Sequence, residues 1–277
     1  MDATQSTVTG DAVSDFEALT QRTVTVTAKD AGSSNVGSGG EFIYVQITNE
    51  CTKSSNFECT VVGGADNTIS TPVFEVMTDN NDGTYSYSWT PDNEGTLSIS
   101  VIRFNDYKIL STFYTTADLT GAVANTNYSS TISYDWESYN VTASNDDNVS
   151  AKFEAYLKAP VSGSVTLYMY TDSYAALWVD GTSEFNFMTT ACTCERSTTV
   201  TMVAGQYYHI EAHWGDTTGA AEVDFRWSYT SQAKITVPTE YWYYPEYVGT
   251  SPYTVDVSCP SGYTGTNSSN PNVCSEI

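Results

Sequence analysis

The chain has 277 residues, a length comfortable for two domains of roughly 100–150 residues each. Ten Lys plus Arg stand against 33 Asp plus Glu, and the formal net charge of −23 excludes a nucleic-acid binder and disfavours anionic membrane surfaces. Hydrophobic residues make up 40% of the chain and charged ones only 16%, so it is not a disordered acidic tail, and no apolar run approaches the roughly 18 residues of a membrane span. Tyr (21) and Trp (6) are abundant while strong helix formers are scarce, a balance that suits pleated, half-buried surfaces. The chain reads as all-β.

Taken from the N-terminus, period-two alternation opens at 22–28, where Val24, Val26 and Ala28 share one face. It continues at 42–47, with Ile43, Val45 and Ile47 on one side. Tyr85, Tyr87 and Trp89 then alternate with serines, as do Leu97, Ile99 and Val101. Turn clusters at 79–83 and 91–95 separate these segments, which is the pattern of a β-sandwich. Ser6-Thr-Val-Thr-Gly10, Thr25-Val-Thr-Ala-Lys-Asp30, Gly39-Gly40 before Phe42, Asp82-Gly-Thr-Tyr85 and Trp89-Thr-Pro91 resemble filamin-type immunoglobulin-like repeats, in order, over residues 6–103. That resemblance implies an immunoglobulin-like sandwich.

A second β-rich block runs from 120 to 244. Phe153, Ala155 and Leu157 share a face, as do Val165, Leu167 and Met169, and further strands follow at 176–181, 199–205, 207–214 and 222–227. Phe153-Glu-Ala-Tyr-Leu157, Ala159-Pro-Val-Ser-Gly163, Tyr170-Thr-Asp172, Leu177-Trp-Val-Asp-Gly181, Ala204-Gly205 before Tyr207 and Asp224-Phe-Arg-Trp227 resemble the PA14 domain, a β-sandwich of adhesins, toxins and glycosidases. Asp180-Gly181 also suits a tight two-residue hairpin.

Near the C-terminus, Val248–Val257 resembles the strand that closes a filamin repeat, and the first block lacks such a segment after Val101. The expected architecture is therefore two sandwiches, with the PA14-like one inserted before the last strand of the first. The expected boundaries are 1–117, 118–244, a strand at 245–257 and a disulfide-stapled segment at 258–277. The strand at 250–257 either pairs back with 96–103 or completes the sheet of a neighbour.

Six cysteines fall as Cys51/Cys59, Cys192/Cys194 and Cys259/Cys274. An even count in local pairs favours disulfides, and loop closure favours Cys51–Cys59 and Cys259–Cys274. Cys192 and Cys194 pair with each other or reach elsewhere. Sequons head at Asn127, Asn140, Asn148 and Asn267. With the cysteine pairs they point to an oxidising, extracellular setting, N-linked glycans being the expected modification. Residues 1–15 lack the basic and apolar regions of a signal peptide, so the chain is expected to be a mature product or an excerpt of a longer one.

Catalytic constellations are not legible. Only His209 and His213 are available, which argues against His-dependent triads and multi-His metal centres. His209, Glu211 and His213 alternate along one expected strand, but an exposed polar face explains them, and no metal or cofactor is assigned. The acidic turns at 79–82 and 145–148 are explained by turn chemistry. Sugar-binding members of the PA14 family hold calcium through two consecutive aspartates. The matching position here is Asp172-Ser173, one carboxylate short.

The expected function is a non-catalytic extracellular structural glycoprotein. A self-assembling filament subunit ranks first, joined through Tyr241, Trp242, Tyr243, Tyr244, Tyr247, Tyr253, Val255 and Val257. Filamin-like and PA14-like modules together resemble large surface or matrix proteins of eukaryotic microbes. The alternative is a carbohydrate-binding adhesion module using the loops near Asp172, Ser173 and Asp180.

Overall fold

The computed structural model describes residues 1–49, 51–53, 59–61, 73–137, 140–143, 145–265 and 273–277. Among them the regular structure is β-strand, apart from one 3-10 turn at Thr239–Tyr241. No helix among the described residues is long and apolar enough to cross a membrane. The chain forms two compact units, Met1–Phe104 with Pro245–Ile277, and Asn105–Tyr244.

The first unit is a sandwich. One sheet runs Asp2–Thr9, Arg22–Lys29, Thr84–Trp89 and Thr78–Asp79, antiparallel throughout. The other runs Val73–Val76, Ile43–Asn49, Gly95–Asp106, Tyr253–Ser258 and Phe16–Glu17, the last pair parallel. Val24, Val26, Ala28, Ile43, Val45, Ile47, Leu97, Ile99 and Val101 all turn inward, as their alternation requires. Tyr85 is fully buried while Tyr87 and Trp89 pack at the core's margin.

One detail departs from simple alternation. Gly95–Asp106 lies between two neighbours in its sheet, and its serines Ser98 and Ser100 are buried along with the apolar residues. In the C-terminal segment Tyr263–Thr264 pairs with Ser275–Glu276, Cys274 is buried in the core of the first unit, and Cys259 packs against it. Cys259 and Cys274 are disulfide-bonded.

The returning strand pairs within its own chain, from Gly95 opposite Val257 to Ile99 opposite Tyr253. Its entry is fixed by backbone bonds. The Val248 amide donates to the Val101 carbonyl (2.9 Å), and the Ser251 hydroxyl oxygen accepts from the Val101 amide (2.6 Å). Gly249 has φ +61, and a Cβ there would meet the Ser6 carbonyl oxygen at 2.9 Å, so the turn requires glycine.

The second unit is also a sandwich. Its larger sheet runs Thr182–Asn186, Tyr174–Val179, Tyr207–Asp216, Val149–Lys158, Ile109–Tyr114 and Val123–Ser129. Opposite lie Cys194–Met202, Gly163–Thr171, Ala221–Tyr229 and Ser133–Glu137, with Gln232–Thr236 also on Ala221–Tyr229. Phe153, Ala155, Leu157, Val165, Leu167 and Met169 meet Trp214, Phe225, Trp227 and Trp242 in the core. The division falls at 104/105 rather than 117/118, because Ile109–Tyr114 pairs with Val149–Lys158 and contributes Ile109 and Phe113 to this core. Asp180 (φ 47) and Gly181 (φ 73) turn a two-residue hairpin between Val179 and Thr182.

Candidate functional site

A cluster of polar groups lies where Gly163–Thr171 turns into Tyr174–Val179. Asp172 and Ser173 form that turn, and Ser173 adopts φ +79, a left-handed conformation uncommon outside glycine. The strain is offset by bonds on every side. The Asp172 amide donates to the Glu222 carbonyl (2.9 Å), and Asp172's own carbonyl accepts from the Trp214 indole (3.2 Å). Thr193 donates its hydroxyl to Asp172 Oδ1 (2.6 Å), and the Cys192 amide donates to the Ser173 carbonyl (2.8 Å).

Beneath the turn sits Asp216, the last residue of Tyr207–Asp216 and fully buried. It accepts from the Ser173 hydroxyl at Oδ1 (3.2 Å), while Oδ2 has no hydrogen-bond partner among the described residues. Burial, reinforced by repulsion from Asp172 and Asp147, pushes its carboxyl up to about 6, against the opposing Ser173 bond.

The segment 186–194 folds over the same turn. The Phe187 amide donates to the Ala175 carbonyl (2.8 Å), and Cys192 and Cys194 close the segment by pairing with each other. Phe187 is 40% exposed, and the Arg196 guanidinium lies over its ring, 4.6 Å from the centroid. Arg196 also donates to the Thr190 carbonyl (3.0 Å) and the Thr171 hydroxyl (3.3 Å). One loop end thus presents an exposed aromatic face, a fixed cation, a carboxylate and hydroxyls.

Asp172 and Ser173 are therefore brought together with Asp216, Thr193, Phe187 and Arg196, four residues that sequence reasoning missed. Asp180 is not among them. It sits at the far end of Tyr174–Val179, a six-residue strand, where its carboxylate accepts the His209 amide (2.7 Å). The pair Cys192 and Cys194 was the one sequence signal that marked the covering loop.

The aromatic run, expected to place alternate rings in the PA14-like core and the rest at an interface, makes these contacts within its own units. Trp242 is fully buried against Phe225 (5.4 Å), and Tyr241 meets Trp227 edge-on at 4.7 Å. Tyr243 packs on Tyr207 (5.0 Å) and Tyr244 on Tyr128 (5.2 Å). Tyr247 is half-buried, its phenol pushed up to about 12 by desolvation. Val255 and Val257 belong to the core of the first unit and Tyr253 packs against it, because their strand pairs at home.

Other sequence candidates fall as follows. Asn127, Asn140 and Asn148 are exposed, and Asn267 lies outside the described residues. The side chains of Cys51 and Cys59 also lie outside the description, though their strands form a hairpin. Glu211 and His213 bond to each other (2.6 Å), and His213 packs on Trp178 (4.6 Å). Asp79 and Asp82 accept backbone amides within or beside their turn.

Residues 1–110 match the family model of the filamin/ABP280 repeat, and residues 108–241 match that of the PA14 domain. The chain joins a filamin repeat to a PA14 domain. An anti-sigma factor domain-containing protein from Clostridium clariflavum is similar at 14% identity, covering 87% of this chain and 92% of that one, with TM-score 0.47. The A domain of epithelial adhesin 9 from Candida glabrata, in complex with Galb1-4GlcNAc, is 9% identical over 53% of this chain and 92% of its own, with TM-score 0.42. A beta-glucosidase from Kluyveromyces marxianus is 12% identical over 44% of this chain and 16% of its own, with TM-score 0.38. A comparison with curated proteins gave no match.

The calcium of sugar-binding PA14 domains does not fit the residues present. Ser173 stands where a second carboxylate is needed and donates its hydroxyl to Asp216. No group of three His, Cys, Asp or Glu among the described residues is disposed to hold a metal.

Proposed function

We propose that the chain is a non-catalytic extracellular adhesion module that takes carbohydrate directly at the Asp172–Arg196 loop cluster of its PA14 unit. The observation that carries this reading is the exposed Phe187 ring braced by Arg196, in the loop whose Thr193 hydroxyl holds the Asp172 carboxylate. A sugar ring has an apolar C–H face and a rim of hydroxyls. Phe187 suits the face, while Asp172, Thr190 and Arg196 suit the rim. The carboxylate has about four lone-pair sites, of which Thr193 uses one. Disulfides and three exposed sequons support the extracellular setting.

Assembly into a homopolymeric filament is the second reading. It ranks below adhesion because the strand and aromatic segment that were to form the joint are occupied within the chain.

The test is a glycan array probed with the purified, secreted chain. Binding is expected, insensitive to chelator, and weakened about tenfold or more by Phe187→Ala and by Arg196→Ala at unchanged melting temperature. No bound glycan, or binding indifferent to both substitutions, removes the reading. Hydrolysis of any bound glycan removes its non-catalytic part.

A further inference from the structure

The strand Val123–Ser129 ends the larger sheet of the PA14 unit, and among the described strands it pairs only with Ile109–Tyr114. Residues Val123 through Tyr128 are all exposed, Val123 at 56% and Tyr128 at 52%. A sheet edge presents a row of backbone donors and acceptors that a second copy of the chain can extend. Proteins usually block such edges with a lysine, a proline or a covering segment. Val-Ala-Asn-Thr-Asn-Tyr-Ser contains neither a charge nor a proline, and the lysine and tyrosine that reach it, Lys108 and Tyr244, lie on Tyr128 towards one end. A register shift near Val123 irregularises one end of the strand and leaves Asn125–Ser129 regularly paired.

Within that regular stretch stands Asn127, opposite Ser111, heading the sequon Asn127-Tyr-Ser129. The other described sequons differ in setting. Asn140 lies in a loop. Asn148 is drawn into a left-handed turn (φ 53), its amide donating to the Thr217 carbonyl (3.2 Å) and its side-chain oxygen accepting from the Ala117 amide (3.4 Å).

We infer that Asn127 carries an N-linked glycan that caps this edge and prevents two copies from pairing strand to strand. The inference rests on the extracellular reading above. The co-reactant is an oligosaccharide carried on a lipid diphosphate. Asn127 Nδ2 forms a bond to the anomeric carbon and loses one amide proton, while the bond from that carbon to the diphosphate oxygen breaks and the lipid diphosphate leaves. The product is a bulky, hydrated substituent in the middle of the strand.

The experiment secretes the full chain from a eukaryotic host and maps glycopeptides by mass spectrometry. Light scattering at increasing concentration then compares four samples: wild type, Asn127→Gln, Asn127→Gln with Thr126→Lys, and folded wild type trimmed enzymatically to single sugar residues. Occupied Asn127 and monomeric wild type are expected. Asn127→Gln and the trimmed protein should approach a twofold rise in protein mass, which the added edge lysine reverses. The trimmed sample keeps the test independent of whether Asn127→Gln folds. Occupied Asn140 or Asn148 with bare Asn127 overturns the inference and leaves the extracellular reading standing. An occupied Asn127 whose loss leaves the mass unchanged overturns the capping role. Bare asparagines at all three sites overturn the inference and the glycoprotein reading together.

Discussion

Asp216 shows how one side chain records both the fold and the site. Its carboxyl is held up near 6 from an ordinary 3.8, chiefly because the charged form is buried. The folded protein therefore holds this proton more tightly than the unfolded chain does. Its contribution to stability is fully present below about pH 4 and is lost as pH rises through about 6. Asp216→Asn keeps an acceptor for Ser173 and removes the charge. The variant should melt higher than wild type at pH 7.5, with the gain vanishing near pH 4. Thermal unfolding at the two values checks this, and an equal shift at both would discard burial of the charge as the cause. Asp172 was legible in the sequence because a family motif passes through it. Phe187, Arg196 and Asp216 were not, since a loop and two separate strands bring them to one loop end and none carries a local pattern.

At the scale of elements, period-two faces were readable wherever one side of a strand meets the core. Val24, Val26 and Ala28 are the clearest case, and Phe153, Ala155 and Leu157 another. The same reasoning is silent on Ser98 and Ser100, because alternation marks the apolar face alone, and these serines are buried as well. It also split Tyr241–Tyr244 between the core and an interface, since a run of aromatics looks the same whether its partners are within the chain or beyond it. Trp242→Ala should therefore act on stability, costing about 3–5 kcal/mol of the PA14 unit in denaturant unfolding. A change below about 1 kcal/mol would mean that the Trp242 contacts carry little of the core. The Cys259–Cys274 bridge spans 15 residues and joins the core of the filamin unit. Replacing both cysteines by serine should cost about 3 kcal/mol there, read by the same measurement.

At the scale of the whole chain, the PA14 unit interrupts the filamin unit, leaving it at Phe104 and returning at Pro245. A chain truncated after Tyr244 lacks Val248, Val255, Val257 and Cys274, all part of the first core. Hydrogen exchange should then show the Ile43–Asn49 and Gly95–Asp106 strands unprotected, while the PA14 core keeps its protection. Native material imaged by electron microscopy should show dispersed particles; ordered filaments would restore the assembly reading to first place. The insertion was legible because a closing-strand motif stood far downstream of a repeat that lacked one. The boundary was not, because Ile109–Tyr114 is apolar enough to suit either core. The pairing of Ile99 with Tyr253 also sets a timetable for biosynthesis. At about 5–20 residues per second, some 8–30 s separate the emergence of the two partners from the ribosome. During that interval the PA14 sequence can fold as a unit while the half-made filamin sandwich waits with an open seam, so nascent chains should engage chaperones at Gly95–Asp106 until the last strand arrives.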